Sequence, residues 1–424
     1  MVIATLIPLL AILGAPLFAI IAAAAMTGFY YEDIDLAVMG VEIYRLAEMP
    51  LLNAIPLFAF AGYLLGESNA PKRLVNVTQA LLGWMPGNIA VVGFIACALF
   101  TAFTGASGIT IIALGALLYP ALQESGYGKN FSLGLITSSG SLGLLFAPSV
   151  PLILYGVIAQ QLGLPISMEI QDLFLAGLFP GLLMLFMLSV YGVWESRKLP
   201  RIETPKEKNA IRKALWESKW EMPLPLVILG GIYGGFITIP EAAAVTSAYV
   251  LIVEVLITRE IPFRQLPRVM REAMVLVGAV LIILAASLAS MNYLIDTEVP
   301  EKIFTYIQTH VDSKWKFLML LNIFLLLLGT MLDIFSALLI MVPIILPVAL
   351  NYGVHPVHLG IIFLANMQIG YFTPPVGMNL FIASYRFNES VLTLYRATFP
   401  FFLILLLAVL IITYVPQLSL WLIE

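Results

Sequence analysis

Two short runs interrupt the apolar sequence, Phe103-Thr-Gly-Ala-Ser-Gly108 and Ser138-Ser-Gly-Ser-Leu-Gly-Leu-Leu-Phe-Ala-Pro148. Both are rich in small and polar residues. In a lipid bilayer, non-helical backbone is stable only where protein buries it or where it lines a cavity, because every N–H and C=O needs a partner. We therefore predict that both runs face a binding site. The first is predicted as the tip of a re-entrant hairpin over residues 85–122, and the second as a break in a crossing helix over 131–159.

The composition indicates an all-α polytopic membrane protein that lies in the lipid bilayer. Of the 424 residues 61% are hydrophobic and 11% are charged, and the mean hydropathy is +1.00. A soluble domain carries about 25% charged residues, and a crossing helix needs about 20 apolar residues. The net charge of −4 gives no indication of a nucleic-acid partner. The single cysteine excludes an internal disulfide.

The distribution of charge predicts the orientation of the chain. Residues 195–221 carry eight Lys and Arg against five acids, which places this loop in the cytoplasm by the positive-inside rule. The arginines of the loop 259–271 place it there too, whereas 295–314 is acidic and is predicted to be external. Further crossings are predicted at 2–26, 50–66, 173–194, 222–238, 241–258, 273–294 and 399–422.

The tip and the break occur a second time. A second hairpin is predicted over 317–350 with its tip at 329–336, and a second broken crossing over 359–385 with its break at 366–379. Glycines and prolines 226 or 227 residues apart align the two copies: Pro120 with Pro347, Gly126 with Gly353, Gly134 with Gly360, Gly143 with Gly370, and Pro148 with Pro374. Counting crossings from the basic loop makes the copies inverted repeats, which are typical of secondary transporters with sites at the breaks.

Several runs resemble the large membrane (M) subunit of tripartite ATP-independent periplasmic (TRAP) transporters, of the ion transporter superfamily. They are Pro50-Leu-Leu-Asn-Ala-Ile-Pro-Leu-Phe-Ala-Phe-Ala-Gly62, Gly105-Ala-Ser-Gly108, Leu142-Gly-Leu-Leu-Phe-Ala-Pro-Ser-Val-Pro-Leu-Ile-Leu-Tyr-Gly156, Ile239-Pro-Glu-Ala-Ala-Ala-Val245 and Gln368-Ile-Gly-Tyr-Phe-Thr-Pro-Pro-Val-Gly-Met-Asn379. The resemblance implies an elevator-type, Na⁺-coupled importer in the bacterial or archaeal cytoplasmic (inner) membrane. It also implies a small Q membrane subunit, expected here as a separate polypeptide, and a periplasmic P protein that delivers a small organic acid anion. Tyr385-Arg-Phe387 departs from the common dicarboxylate pattern, so the substrate stays open.

In an elevator, a transport domain slides against a scaffold, and the chain divides accordingly. We expect scaffold helices at 1–86 and 222–313, and hairpins with broken helices of the transport domain at 87–160 and 314–386. Residues 161–221 form a crossing helix and the basic cytoplasmic linker, and 387–424 form the C-terminal helix.

Small cations such as Na⁺ are bound by hard oxygen ligands, which unwound carbonyls and hydroxyls supply. We predict a first Na⁺ site from Gly105, Ser107 and Gly140, and a second from Gly329, Asp333, Gly370 and Thr373. An acid at membrane depth is costly and is a functional candidate by default. Two alternatives stay open: Asp333 as the N-cap of the second hairpin arm, and the glycines as sites of close helix packing.

Hydroxyls and amides near the breaks are candidates for binding a substrate: Ser138, Ser139, Ser141, Asn366, Gln368 and Asn379. These residue types also make ordinary contacts between helices. A carboxylate favours an arginine partner, and Arg45 and Arg386 flank the predicted site. The alternatives are a cytoplasmic anchor for Arg386 and a snorkelling side chain for Arg45.

Other functions remain as rivals. A stand-alone ion-coupled anion symporter of the same architecture would need neither Q nor P. An enzyme is not expected, because the sequence has no His-Glu-x-x-His, Gly-x-Ser-x-Gly or Walker A motif.

Overall fold

The computed structural model describes residues 14–82, 87–163, 168–197, 199 and 209–423. Within these ranges eight helices are long and apolar enough to cross a membrane, or up to nine if a bent pair counts as one span. This confirms the prediction of an all-α polytopic membrane protein. The start of the predicted first helix and much of the basic linker lie outside the described residues.

The helices of the first half follow the predicted order. They are α1 Leu17–Tyr31, α2 Ala37–Ala47, α3 Ala54–Glu67, α4 Ala70–Leu82, α5 Asn88–Thr104, α6 Ser107–Glu124, α7 Lys129–Ser139, α8 Val150–Gln161, α9 Ile170–Ala176 and α10 Leu178–Ser196. A 3₁₀ turn over Pro50–Asn53 precedes α3, and another over Leu142–Leu145 lies between α7 and α8.

The second half begins after the linker. Its helices are α11 Ala210–Glu217, α12 Pro223–Tyr233, α13 Ile239–Leu251 with a π-helical end Ile252–Ile257, α14 Leu266–Asp296, α15 Val299–Gln308, α16 Lys314–Met331, α17 Ile334–Asn351, α18 Pro356–Gly370, α19 Met378–Phe387, α20 Val391–Tyr414 and α21 Gln417–Leu420.

Two segments differ from the expectation. Helix α14 begins before residue 273, so the end of the predicted basic loop is helical. The segment expected as an external loop contains α15. This helix forms because Pro300 lies in its first turn, where proline fits well, and because its apolar side chains pack on the second hairpin. Phe304 meets Tyr352 edge to face at 5.4 Å between ring centroids.

The helices are interrupted at both predicted tips and at both predicted breaks. Gly105 and Ala106 join α5 to α6, and Leu332 and Asp333 join α16 to α17. Gly105 has a φ of +65°, a conformation that favours glycine. The helices on either side of the first break are bent by 42°. Each break contains a cis X–Pro peptide, Ala147–Pro148 or Pro374–Pro375.

The breaks pack against the first arms of the hairpins without room for a side chain. A Cβ on Gly143 would lie 2.2 Å from the carbonyl oxygen of Ala98 and 2.4 Å from the amide nitrogen of Ala102, both in α5. A Cβ on Gly370 would lie 2.5 Å from the Cα of Gly329 in α16. Small residues allow such backbone contact between helices, and here they hold each broken helix against its hairpin.

The Gly143 contact predicts the effect of a substitution. Gly143→Ala should lower the melting temperature of the purified protein in detergent, because overpacking costs about 1–3 kcal/mol and both opposing atoms belong to backbone. Gly278→Ala is the matched control. It adds a Cβ in α14 with no heavy atom within 4 Å, and alanine favours helix. Equal melting temperatures for the two variants would contradict the packing described.

A cluster of charges ties together the helix ends at one face of the molecule. The Arg73 guanidinium lies 2.5 Å from Glu221 and 3.4 Å from Glu254, and it also pairs with Glu260. Burial raises the pKa of Glu260, but hydrogen bonds from Arg73 and from the backbone N–H of Asn69 outweigh it and lower the pKa below its usual value. The cluster joins the start of α4 to the linker and to the segment before α14, the elements that charge distribution assigns to the cytoplasmic face.

Candidate functional site between the hairpin tips

Polar side chains join the first hairpin and the first break to the second break. The Ser107 hydroxyl at the start of α6 donates to Asn379 Oδ1 at 2.8 Å. The Asn379 amide donates in turn to the carbonyl of Thr137 at 3.3 Å. The Ser141 hydroxyl donates to the carbonyl of Gln368 at 3.1 Å. Buried hydrogen bonds therefore join residues that are far apart in sequence.

The residues predicted for a first cation site lie around the first tip. The Thr101 hydroxyl donates to the carbonyl of Gly140 at 2.8 Å and lies 2.6 Å from the hydroxyl of Thr110. This bond fastens the break to the hairpin. Next to Gly105, the buried Thr104 hydroxyl has no hydrogen-bond partner among the described residues. Since buried polar groups are normally satisfied, this oxygen is available to a ligand.

The residues predicted for a second cation site lie around the second tip. Gly329 and Gly370 are in backbone contact, and the Thr373 N–H donates to the carbonyl of Gly370 at 3.1 Å. The N–H of Ile334 donates to the Tyr371 hydroxyl at 2.6 Å. The tip of the second hairpin is therefore bonded to the chain that follows α18.

Asp333 is the N-cap of α17. Its Oδ1 accepts from the N–H groups of Phe335 and Ser336 at 2.9 and 3.0 Å, and its Oδ2 accepts from the Ser336 hydroxyl. The capping role considered from the sequence is therefore present. It does not exhaust the carboxylate, which has about four lone-pair sites, so an ion-site role stays a prediction.

Most residues predicted to bind a substrate are fully buried. The hydroxyls of Ser138 and Ser139 bond carbonyls of their own helix, Gly134 and Leu135, at 2.7 and 2.5 Å. Serine hydroxyls in helices commonly do this. Two of the three predicted amide residues, Asn366 and Gln368, lie inside α18 rather than in the break. The Asn366 amide donates to Asn322 at 2.7 Å, and Gln368 Nε2 lies 3.4 Å from Met184 Sδ. The side-chain oxygens of both amides are without a partner among the described residues.

A cavity of 740 Å³ lies between the hairpin tips and two other helices. Residues 105–109 and 333–336 of the tips line it, together with Tyr371, the end of α3 and one face of α14. Of the predicted residues, it brings together Gly105, Ser107 and Asp333. The six buried hydroxyl and amide residues are not among its described lining residues.

The two predicted arginines lie elsewhere. Arg45 is in α2, whose neighbours Val38 and Met39 pack near Ala289 and Tyr293 at the far end of α14; its own side chain lies outside the described part. Arg386 is exposed and donates from Nε to the carbonyl of Ile112 at 3.3 Å. Their part in binding an anion stays a prediction.

Sequence reasoning missed the charged residues Glu67, Arg271 and Glu272 of the cavity wall. Arg271 was counted only as part of a cytoplasmic loop. Its spacing was a usable signal, because Val275, Ala279 and Ile283 follow it at intervals of four residues and therefore share its helix face. All of these residues line the cavity.

The family model described as "Tripartite ATP-independent periplasmic transporter, DctM component" matches residues 3–418. The chain belongs to this family. Membership in the TRAP transporter family, together with the eight or more apolar helices in the described ranges, makes it a multi-pass protein of the bacterial inner membrane. The family consists of transporter permeases.

Two relatives in the TRAP family have different named substrates. The chain is 35% identical over 372 residues to the "Isethionate TRAP transporter permease protein DctMQ" of Oleidesulfovibrio alaskensis, covering 87% of this chain and 58% of that protein. It is 34% identical over 406 residues to the "C4-dicarboxylate TRAP transporter large permease protein DctM" of Rhodobacter capsulatus, covering 92% and 91%. The chain thus spans less than two thirds of the first relative and most of the second.

A solved structure shares the fold. The crystal structure of the YdaH transporter of Alcanivorax borkumensis superposes with a TM-score of 0.61 over 91% of this chain and 87% of that chain. The identity is 13%, so this likeness concerns the fold alone.

The bond between Ser107 and Asn379 predicts a coupling between distant segments. Ser107→Ala should lower stability, because it leaves the buried Asn379 Oδ1 without its donor at a cost of about 1–3 kcal/mol. Ser138→Ala is the control, since its hydroxyl bonds only carbonyls of its own helix. Thermal unfolding of Ser107→Ala, Asn379→Leu and the double variant measures the coupling. Strictly additive effects would contradict a bond between the two side chains.

Proposed function

We propose that this chain is the large membrane subunit of a Na⁺-coupled TRAP importer. It takes up a small organic acid anion that a periplasmic P protein delivers, and it works with a small Q membrane subunit. The observation that carries the proposal is that both hairpin tips and both helix breaks contribute residues to the wall of one 740 Å³ cavity. Membership in the TRAP family supports it.

The oxygen donors at the tips support Na⁺ as the coupling ion. The first group offers the Gly140 carbonyl with the Ser107 and Thr104 hydroxyls, and the second offers Asp333 and the Gly370 carbonyl. Hard cations prefer such oxygen ligands. The unpartnered Thr104 hydroxyl gains a bond when an ion binds beside it.

The relatives and the helix ends support an anionic substrate. Isethionate is a sulfonate and C4-dicarboxylates are carboxylates, so both named substrates are small organic anions. Helices α6 and α17 begin at the two tips. Their first N–H groups and the positive ends of their dipoles favour a negative charge.

Contacts at the two ends of α20 support inverted repeats. Lys129, at the base of the first hairpin, pairs with Glu389 just before α20 at 2.6 Å. Trp315, at the base of the second hairpin, stacks on Tyr414 at the end of α20, with ring centroids 5.0 Å apart. The 24 residues of α20 span about 36 Å. The two hairpins therefore start from opposite ends of this helix.

We infer an elevator mechanism, which the same arrangement supports. The moving body contains both hairpins and both broken helices, and α3 and α14 belong to the scaffold. The two bodies touch closely at Gly62 of α3, where a Cβ would lie 2.5 Å from the Cα of Thr104. Glu67 and Arg271, on the side assigned to the cytoplasm, lie at one end of the cavity. This is the arrangement of an inward-facing state.

Uptake into proteoliposomes tests the proposal. The chain is reconstituted with the Q and P proteins of the same organism and given isethionate or succinate outside. An inward Na⁺ gradient should drive accumulation, and replacing Na⁺ by choline should abolish it. Uptake that persists without Na⁺ would reject the coupling. Uptake by this chain without Q and P would favour a stand-alone symporter instead.

Asp333→Asn tests the second ion site. Asparagine is an equally good N-cap, so the variant removes the charge and keeps the cap. We expect the Na⁺ concentration for half-maximal uptake to rise about tenfold, which corresponds to about 1.4 kcal/mol. Asp312→Asn is the control, because Asp312 is exposed and pairs with Lys316. A wild-type Na⁺ dependence in Asp333→Asn would reject an ion-site role.

A further inference from the structure

The acidic side chains that line the cavity all have a favourable partner. Glu67 and Glu272 both pair with Arg268, which reaches Glu272 at 3.4 Å. Asp333 accepts hydrogen bonds from the first N–H groups of α17. Each acid that lines the cavity is therefore held by a positive partner or by a helix N-terminus.

Arg271 has no such partner. It is exposed, and it forms no ion pair or hydrogen bond with the residues that the structure describes. Among the described lining residues of the cavity it is the single Lys or Arg. Arg268, one turn earlier on the same helix, is committed to two carboxylates, so Arg271 has a free guanidinium beside a largely apolar cavity.

Arg271 lies at one end of the part of α14 that lines the cavity, at a distance from the hairpin tips. The cavity follows α14 from Arg271 to Ile283, a distance of about 18 Å at 1.5 Å per residue. Leu276 and Val280 of α14 line a small void together with Gly105 and Phe335 of the hairpin tips. Arg271 precedes these two residues by about one and a half to two and a half turns of α14, towards the end with exposed charges.

We propose that Arg271 forms a second, shallow anion site, which binds a small carboxylate or sulfonate between the hairpin tips and the cytoplasm. A guanidinium binds such groups through paired, charge-assisted hydrogen bonds. The other described lining residues include no Lys or Arg, so an anion that leaves the tips meets Arg271 as its first cationic partner. The site rests on the proposed function and extends it with a step of release.

A thiol-labelling experiment measures the local attraction for anions independently of transport. Val275 is exposed and lines the cavity one turn after Arg271. Val275→Cys is made in the full chain, with the buried Cys97 replaced by Ala, and reconstituted with the partner subunits. The probes are the anionic 2-sulfonatoethyl methanethiosulfonate and the neutral methyl methanethiosulfonate. The quantity compared is the ratio of their labelling rates.

We expect Arg271→Gln to lower the anionic-to-neutral ratio several-fold, Arg271→Lys to keep most of it, and added salt to lower it in the wild type by screening. Arg264→Gln is the control: Arg264 is also exposed, but it is not among the described lining residues. An unchanged ratio in Arg271→Gln, or an equal loss in Arg264→Gln, would overturn the proposal.

Exchange of isethionate and succinate then tests whether the site lies on the substrate's route. With Na⁺ on both sides, Arg271→Gln should raise the half-saturating internal concentration about tenfold, the effect of about one charge-assisted hydrogen bond, and leave the external value unchanged. Equal changes on both sides, or none, would overturn the inference. If the wild type exchanges neither anion, the proposed substrate class fails, while the labelling ratio still decides whether Arg271 attracts a sulfonate.

Discussion

Backbone hydrogen bonding inside the membrane shapes the centre of this protein. Wherever a helix stops at membrane depth, its free N–H and C=O groups must find partners in protein. At the second break they find them in the neighbouring hairpin and within the break itself. The N–H of Gly377 donates to the carbonyl of Thr330 at 3.0 Å, and the N–H of Asn379 donates to the carbonyl of Tyr371 at 2.9 Å. The second break therefore depends on the second hairpin for part of its backbone hydrogen bonding.

Glycine makes this mutual arrangement sterically feasible. Gly143, Gly329 and Gly370 lie where two backbones touch, and a Cβ would displace one of them. The same contacts leave carbonyl and hydroxyl oxygens close together in a region without bulky side chains. Close packing and the supply of oxygen ligands thus have one cause. The glycines read from the sequence as packing sites and as ligand sites are, in the structure, compatible with both roles.

The sequence predicted the elements well because lipid imposes a simple rule on them. Apolar length located both hairpins, and polar Gly-rich interruptions located both tips. The observed turns at residues 105–106 and 332–333 lie within the tips predicted at 103–108 and 329–336. It failed where tertiary contacts decide. Asn366 and Gln368 were assigned to a break but lie in α18, because this helix continues to Gly370 while it packs on the second hairpin. Arg271 was taken for a topological signal, since net charge in a loop does not reveal which face of the following helix it joins.

The hydrogen bond between Ser141 and Gln368 bears on how the two halves are related. Ser141 and Gln368 are 227 residues apart, the same separation that aligns the prolines and glycines of the repeats, so they are equivalent positions. They also touch. In the proposed inverted repeats, equivalent positions can meet only beside a twofold rotation axis, which would therefore pass near Ser141 and Gln368. At the tips the correspondence is unequal, since the same separation aligns Ala106 with Asp333. The proposed repeats would thus meet near their common axis while differing in charge at their tips.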